Sequence, residues 1–130
     1  MRVVGESRQL RMESEPKILV VDDEVGMREF LGAFLRAYDL PVVTAGSAEE
    51  AIEVWEANRG QIRAVITDIV MPGMNGKVLA ECLRAKKPGL QVIFMSGFLP
   101  SEIAEEELDG TFFKKPFNPS ELLSALGEKQ

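Results

Sequence analysis

Lys17-Ile18-Leu19-Val20-Val21-Asp22-Asp23-Glu24 is a short apolar run that stops abruptly on three acids. It has no polar alternation, which is what a strand needs when both faces of its sheet are covered. The residues that follow change period. Met27, Phe30, Leu31, Phe34, Leu35 and Tyr38 recur at helical spacing and predict an amphipathic helix. A strand of this kind followed by a helix is the opening of a βα unit.

The alternation continues to the end of the chain. Pro41 to Ala45 reads as a second strand, and Ser47 with Glu50 as a capping box for a helix burying Ala48, Ala51, Ile52 and Trp55. Ile62 to Thr67 is a third strand, ending at Asp68. Pro72, Gly73, Asn75 and Gly76 mark a loop, and Val78, Leu79, Cys82 and Leu83 form one face of a third helix, stopped at Lys87-Pro88-Gly89. Leu90 to Met95 is a fourth strand ending at Ser96-Gly97, and Thr111 to Phe113 a short fifth. A last helix has Asn118 as N-cap, Pro119 at its first position, Glu121 at its third, and Leu122, Leu123 and Leu126 inward. Between the last two strands, Leu99 to Asp109 is acidic. Only Leu99, Ile103 and Leu108 can face a core there, and one short helix is expected. Residues 1–15 read as a flexible tail and 16–128 as a single domain.

Composition narrows the function classes. With 45% apolar and 28% charged residues the chain has the mix of a folded globular protein. No apolar run approaches the roughly 20 residues that span a bilayer, and the N-terminus lacks the apolar stretch of a secretory signal, so a cytoplasmic protein with no membrane partner is expected. A net charge of −6 argues against direct nucleic-acid binding. The single Cys82 cannot form an internal disulfide and reads as a small core residue. No histidine is present. Ser-His and Cys-His catalysis and histidine-ligated metal are therefore excluded within these residues, and any phosphohistidine must come from another molecule.

Five strands alternating with helices make an open doubly wound α/β sheet, in which ligands sit outside the carboxyl ends of the strands. Those ends carry Asp22-Asp23, Asp68, Ser96 and Lys114-Lys115. Each has a plainer reading alone: Asp23 a helix cap, Asp68 and Ser96 turn residues, Lys115 a solvated lysine. Together, three carboxylates would repel unless compensated. An all-oxygen donor set favours a hard cation, Mg²⁺, Mn²⁺ or Ca²⁺, and Mg²⁺ in particular suits phosphoryl chemistry.

The stretches Lys17 to Glu24, Val65-Ile-Thr-Asp68-Ile-Val-Met-Pro-Gly-Met-Asn-Gly76, Phe94-Met-Ser96-Gly and Phe113-Lys-Lys115-Pro-Phe117 resemble the receiver domain of two-component response regulators, from about Lys17 to Leu126. The resemblance implies a flavodoxin-like five-stranded parallel sheet of order 2-1-3-4-5 with helices on both faces. It implies that Asp68 is the phosphoacceptor, taking a phosphoryl group from a phosphohistidine of a sensor histidine kinase or histidine phosphotransfer protein. Asp23 would ligate Mg²⁺ (or Mn²⁺) directly, with Asp68 and the backbone carbonyl of Val70, and Asp22 through water. Lys115 would pair with Asp68 and then with the phosphoryl group. Ser96 would move to hydrogen-bond it, and Phe112 falls at the aromatic switch position; its plainer reading is a core strand residue. Such a domain is not an enzyme in the ordinary sense: it catalyses only its own phosphorylation and slow dephosphorylation, and a homodimer formed on phosphorylation is a further option.

The chain also departs from the family pattern. Nineteen positions separate Ser96 from Lys115, fewer than a receiver usually has, so the family's fourth helix looks trimmed. That feature and the Met-Ser-Gly-Phe ending resemble receivers attached to hybrid histidine kinases. Val70 and Phe98 are apolar and are expected to shield the acyl phosphate from water, lengthening its life. A phosphatase of the haloacid-dehalogenase type would need an acid where Val70 stands. A degenerate receiver acting only as a docking module conflicts with the intact residue set. A flavodoxin-like cofactor binder would find its phosphate repelled by Asp22-Asp23-Glu24.

Overall fold

β1 (Lys17–Val21) has four residues, Ile18 to Val21, with no solvent exposure at all, and the rest of the fold follows from covering them. In the computed structural model, which describes residues 15–127, the chain continues through α1 (Val25–Ala37), β2 (Val42–Ala45), α2 (Ala48–Ala57), β3 (Ile62–Asp68), α3 (Gly76–Lys86), β4 (Gln91–Ser96), a 3-10 turn (Glu105–Glu107), β5 (Thr111–Lys114) and α4 (Ser120–Ala125). The expected tail of residues 1–15 lies, but for Glu15, outside the described residues. All five strands are parallel, in the order β2-β1-β3-β4-β5, as expected.

Side chains alternate across β1, so Leu19 and Val21 point to one layer and Ile18 and Val20 to the other. The first layer joins β3 and β4 residues such as Val65 and Phe94 to Ala51 and Trp55 of α2 and Leu79 and Leu83 of α3. The second joins Ile66 and Ile93 to Leu31 and Leu35 of α1 and Leu122 and Leu123 of α4. Each fully buried Leu, Ile or Val contributes about 2 kcal/mol by leaving water, so the unbroken apolar strands carry much of the stability.

Several expectations change in detail. The α1 stripe is narrower than its spacing implied: Leu31 and Leu35 are buried, but Phe30 and Tyr38 are 50% and 44% exposed. Phe34 bridges them, its ring 6.3 Å from Phe30 and 5.3 Å from Tyr38. The core covers one side of this helix, so a stripe wider than that contact line spills into solvent. On α3 the same holds. Val78 is exposed and Cys82 half-buried, while Gly76 and Ala80 join Leu79 and Leu83 inside.

The capping box at Ser47 forms by half. Ser47 Oγ accepts from the Glu50 backbone N–H at 3.0 Å, but Glu50 Oε1 accepts from the Gly46 N–H at 2.5 Å instead of returning to Ser47. The last helix starts one residue later than expected. Asn118 still supplies its cap, its Oδ1 accepting from the Ser120 N–H at 3.0 Å. The helix expected between Leu99 and Asp109 is a single 3-10 turn, because six of its eleven residues are exposed and four of those are glutamates. Its three apolar residues do face the core: Leu108 is buried, and Leu99 and Ile103 pack against the layer of α2 and α3.

Candidate functional site

The chain leaves β1 toward β2 on one side and returns to β3 on the other, and this reversal opens a crevice above the ends of β1 and β3. Asp22 follows β1 directly and Asp68 is the last residue of β3. Burial of the strands draws both acids inward: Asp22 has no exposed surface and Asp68 is 8% exposed. Asp23, one residue further, is exposed, and carboxylate oxygens of all three lie within 4.8 Å of one another.

Lys115 enters from the far edge. Its backbone N–H donates to the Ser96 carbonyl at 2.8 Å, which extends the β4–β5 ladder by one bond and aims the side chain at the crevice. Its Nζ donates to Asp22 Oδ2 at 3.0 Å and to Asp68 Oδ2 at 3.2 Å. The other oxygen of Asp22 is also engaged, Oδ1 accepting from the Glu24 N–H at 2.9 Å. Asp22 thus closes a turn just ahead of α1, whose N-cap residue is Glu24 and whose first turn no side chain caps, so the plainer reading of Asp23 as a helix cap does not hold.

Three carboxylates face one ammonium, which leaves two negative charges in excess in a partly buried pocket. Burial, helped by the charges of Asp22 and Asp23, pushes the Asp68 carboxyl above its ordinary value, against the pull of Lys115. Burial by itself would lower the Lys115 ammonium. The hydrogen bond to Asp22 and the charges of Asp68 and Asp22 outweigh it, so Lys115 is held above 10.5. A doubly charged cation with oxygen preference fits both the excess charge and the donor set. Asp23 is the acid that no hydrogen bond or ion pair occupies among the described residues.

Ser96 closes β4 and is buried, and its hydroxyl donates to the Phe98 carbonyl. Phe112 sits beside Phe94 in the β4–β5 register, half-buried against the layer of α2 and α3. Val70 follows the buried Ile69, whose N–H donates to the Met95 carbonyl at 2.8 Å; the Val70 side chain is 44% exposed and that of Phe98 68%. Beside them, a cleft of about 310 Å³ runs between Val70 and Met71 on one wall and Pro100 and Ile103 on the other. The 99–109 stretch thus forms one wall of it.

Other contributors were not singled out from the sequence. Gly76 opens α3 directly under Asp68, and a Cβ there would stand 2.1 Å from the Asp68 carbonyl oxygen. Read as a loop marker, it is in fact the contact that lets α3 approach the end of β3. Glu49 Oε2 accepts from the Met74 N–H at 3.3 Å, tying the loop after β3 to α2. Arg28 donates to the Asp22 carbonyl at 2.7 Å. Only the segment Pro72 to Gly76 carried a sequence signal for any of these. Arg28 reaches back six residues to the loop before its own helix, and Glu49 bonds a backbone 25 residues away.

A family model described as the response regulator receiver domain matches residues 18–127. The sensor kinase CckA of Brucella abortus (strain 2308) is 32% identical over 114 residues, covering 85% of this chain but 12% of that protein, so the chain spans a small part of that relative's length. The response regulator TrrA of Thermotoga maritima, solved with Mg²⁺ and BeF, is 32% identical and superposes with a TM-score of 0.73 over 86% of this chain and 96% of that one. A response regulator receiver protein from Pseudomonas putida is 31% identical, with a TM-score of 0.77 over 88% and 98%.

Proposed function

The chain belongs to the response regulator receiver family, and on that premise we propose that Asp68 accepts a phosphoryl group from a phosphohistidine on a sensor histidine kinase or histidine phosphotransfer protein. The observation that carries this is Lys115 held between Asp22 and Asp68 beside Asp23, a pocket two positive charges short. Mg²⁺, or Mn²⁺, would be held by the carboxylates of Asp23 and Asp68 and the Val70 carbonyl, with Asp22 reaching it through water. When bound, it supplies the charge that offsets the carboxylates and the phosphoryl oxygens.

An Asp68 carboxylate oxygen attacks phosphorus in line; the new O–P bond forms as the N–P bond to the donor imidazole breaks, and the imidazole leaves with its electron pair and takes up a proton. The transfer needs positioning and neutralisation of charge, and little else from the protein. Lys115 turns from the Asp68 carboxylate to the phosphoryl oxygens as a point charge. The Ser96 hydroxyl leaves the Phe98 carbonyl for the phosphoryl group, and the Phe112 ring moves into the space released. That makes Ser96 and Phe112 a two-position element biased by one local charge change.

Residues 16–128 are taken as the folding unit, in keeping with elements running from Lys17 to Ala125. We place it in the cytoplasm, consistent with no helix among the described residues being long and apolar enough to cross a membrane. It catalyses only its own phosphorylation and the slow loss of the phosphate, it makes no direct contact with nucleic acid, and phosphorylation can bring two copies together as a homodimer. Val70 and Phe98 screen the acyl phosphate. Serine at both positions is expected to shorten its lifetime several-fold by intact mass, and an unchanged lifetime removes that role. The main test is phosphorylation by acetyl phosphate with and without Mg²⁺. One added phosphate that needs Mg²⁺ and disappears in Asp68→Asn supports the assignment; labelling that persists in Asp68→Asn overturns it.

A further inference from the structure

We infer that Arg28 is a positioning residue for the cation pocket, setting the orientation of Asp23 through the peptide that joins it to Asp22. This rests on the reading of Asp23 as a cation ligand. Arg28 lies in the first turn of α1, where its backbone N–H donates to the Glu24 carbonyl at 3.0 Å. Its guanidinium reaches back over the helix start to the Asp22 carbonyl at 2.7 Å. That carbonyl belongs to the Asp22–Asp23 peptide, so the bond fixes the plane from which the Asp23 side chain departs. Asp22 is locked independently by Lys115 and the Glu24 N–H. Asp23 has no such lock of its own, and the peptide plane is what orients it.

The place for the guanidinium is made by a glycine. A Cβ on Gly46, just after β2, would fall 2.9 Å from a terminal nitrogen of Arg28 and 3.4 Å from its Cζ. Gly46 is itself held, its N–H donating to Glu50 Oε1 at 2.5 Å, while the Asp22 N–H donates to the Ala45 carbonyl at 3.2 Å. Arg28 therefore sits in a notch between the loops that follow β1 and β2. A planar fork can fill that notch and still donate to a carbonyl; lysine keeps the charge without the shape.

Charge and position predict opposite outcomes. Removing a cation near three carboxylates should by itself strengthen Mg²⁺ binding. Losing the residue that orients a ligand weakens it, by about tenfold for supporting residues of metal sites. Mg²⁺ alone is titrated calorimetrically into the full chain, with unfolding midpoints measured in parallel. Arg28→Met is expected to weaken Mg²⁺ about tenfold and Arg28→Lys by less. Gly46→Ala, which crowds the guanidinium, should weaken it in the same direction, and the double variant no more than the worse single one. With acetyl phosphate, the half-saturating Mg²⁺ concentration should rise by the same factor while the rate at saturating Mg²⁺ stays within about twofold. Unchanged or tighter Mg²⁺ binding in Arg28→Met, or a lower unfolding midpoint with unchanged affinity, overturns the inference. Asp23→Asn separates it from its premise: if Asp23→Asn binds Mg²⁺ as the parent does, the cation site itself is wrong.

Discussion

Two parts of this molecule are rich in acids and behave differently. At the ends of β1 and β3, Asp22 and Asp68 are buried, share one lysine and lie within 4.8 Å of Asp23. Along the connection from β4 to β5, Glu102, Glu105, Glu106, Glu107 and Asp109 are all exposed, and their partners are local or on the surface. Glu107 reaches back to the Ala104 N–H at 3.0 Å, and Asp109 lies 3.6 Å from Arg84 with its side chain 89% exposed. Water screens the second group, so its charges cost little and do little. In the first, burial turns the same chemistry into stored repulsion that a cation or a phosphoryl group can act on. Location on the sheet, rather than acid content, makes the site.

The largest way to break this contrast is through its lysine. Lys115→Met should lower the rate of phosphorylation by acetyl phosphate about 100-fold, the usual cost of one charged contact to a transferring group, while Mg²⁺ binding persists. A rate within a few-fold of the parent would remove Lys115 from the chemistry. Next is the backbone beneath the pocket. Gly76→Ala places a methyl 2.1 Å from the Asp68 carbonyl and should cost about 2–3 kcal/mol in denaturant unfolding. An unchanged unfolding midpoint would mean that α3 can retreat freely.

A smaller effect comes from the stored repulsion. The folded state raises the Asp68 pKa above its ordinary 3.8, so the folded form holds the proton more tightly than the unfolded one. Metal-free stability should then increase as pH falls through the window from the raised value down to 3.8. Asp68→Asn should remove that dependence and stabilise the metal-free domain near neutrality, with added Mg²⁺ narrowing or reversing the gain. Lys115 runs the other way: held above 10.5, it contributes stability that is complete below 10.5 and lost as pH rises through its folded value. Thermal midpoints across pH, with and without Mg²⁺, check both. Smallest of all, changing Glu105, Glu106 and Glu107 together to glutamine should shift stability by no more than about 0.5 kcal/mol and leave Mg²⁺ affinity alone. A marked loss of affinity would mean that the two acidic regions are coupled after all.

How much of this was legible beforehand differs by residue. Asp22, Asp68, Ser96 and Lys115 could be read because strands announce their ends: an apolar run stops, and the polar residue that stops it stands at the carboxyl edge of the sheet. The 99–109 stretch misled because a few apolar residues at loose spacing fit a helix or an irregular segment equally, and only packing against Leu108 and Ile103 chooses. Phe30 and Tyr38 misled in the opposite sense. Their spacing is that of a buried stripe, but the width of the stripe that is covered depends on how many neighbours α1 has. Arg28 and Glu49 left no trace, since their partners are backbone groups, which carry no residue signature.

The sequence by itself determined the alternation of strands and helices, the continuous apolar strands that require cover on both faces, and which polar residues stand at the strand ends. Those are properties of neighbours along the chain. Only the tertiary structure decided that Lys115, whose closest acid partners are 93 and 47 residues away, lies between them. It also decided that Asp22 is held by Lys115 and the Glu24 N–H while Asp23 is exposed, and that Gly76, read as a loop marker, is a space beneath Asp68. These depend on distances between segments, which arise from the parallel crossovers of the sheet and the close packing of its two layers.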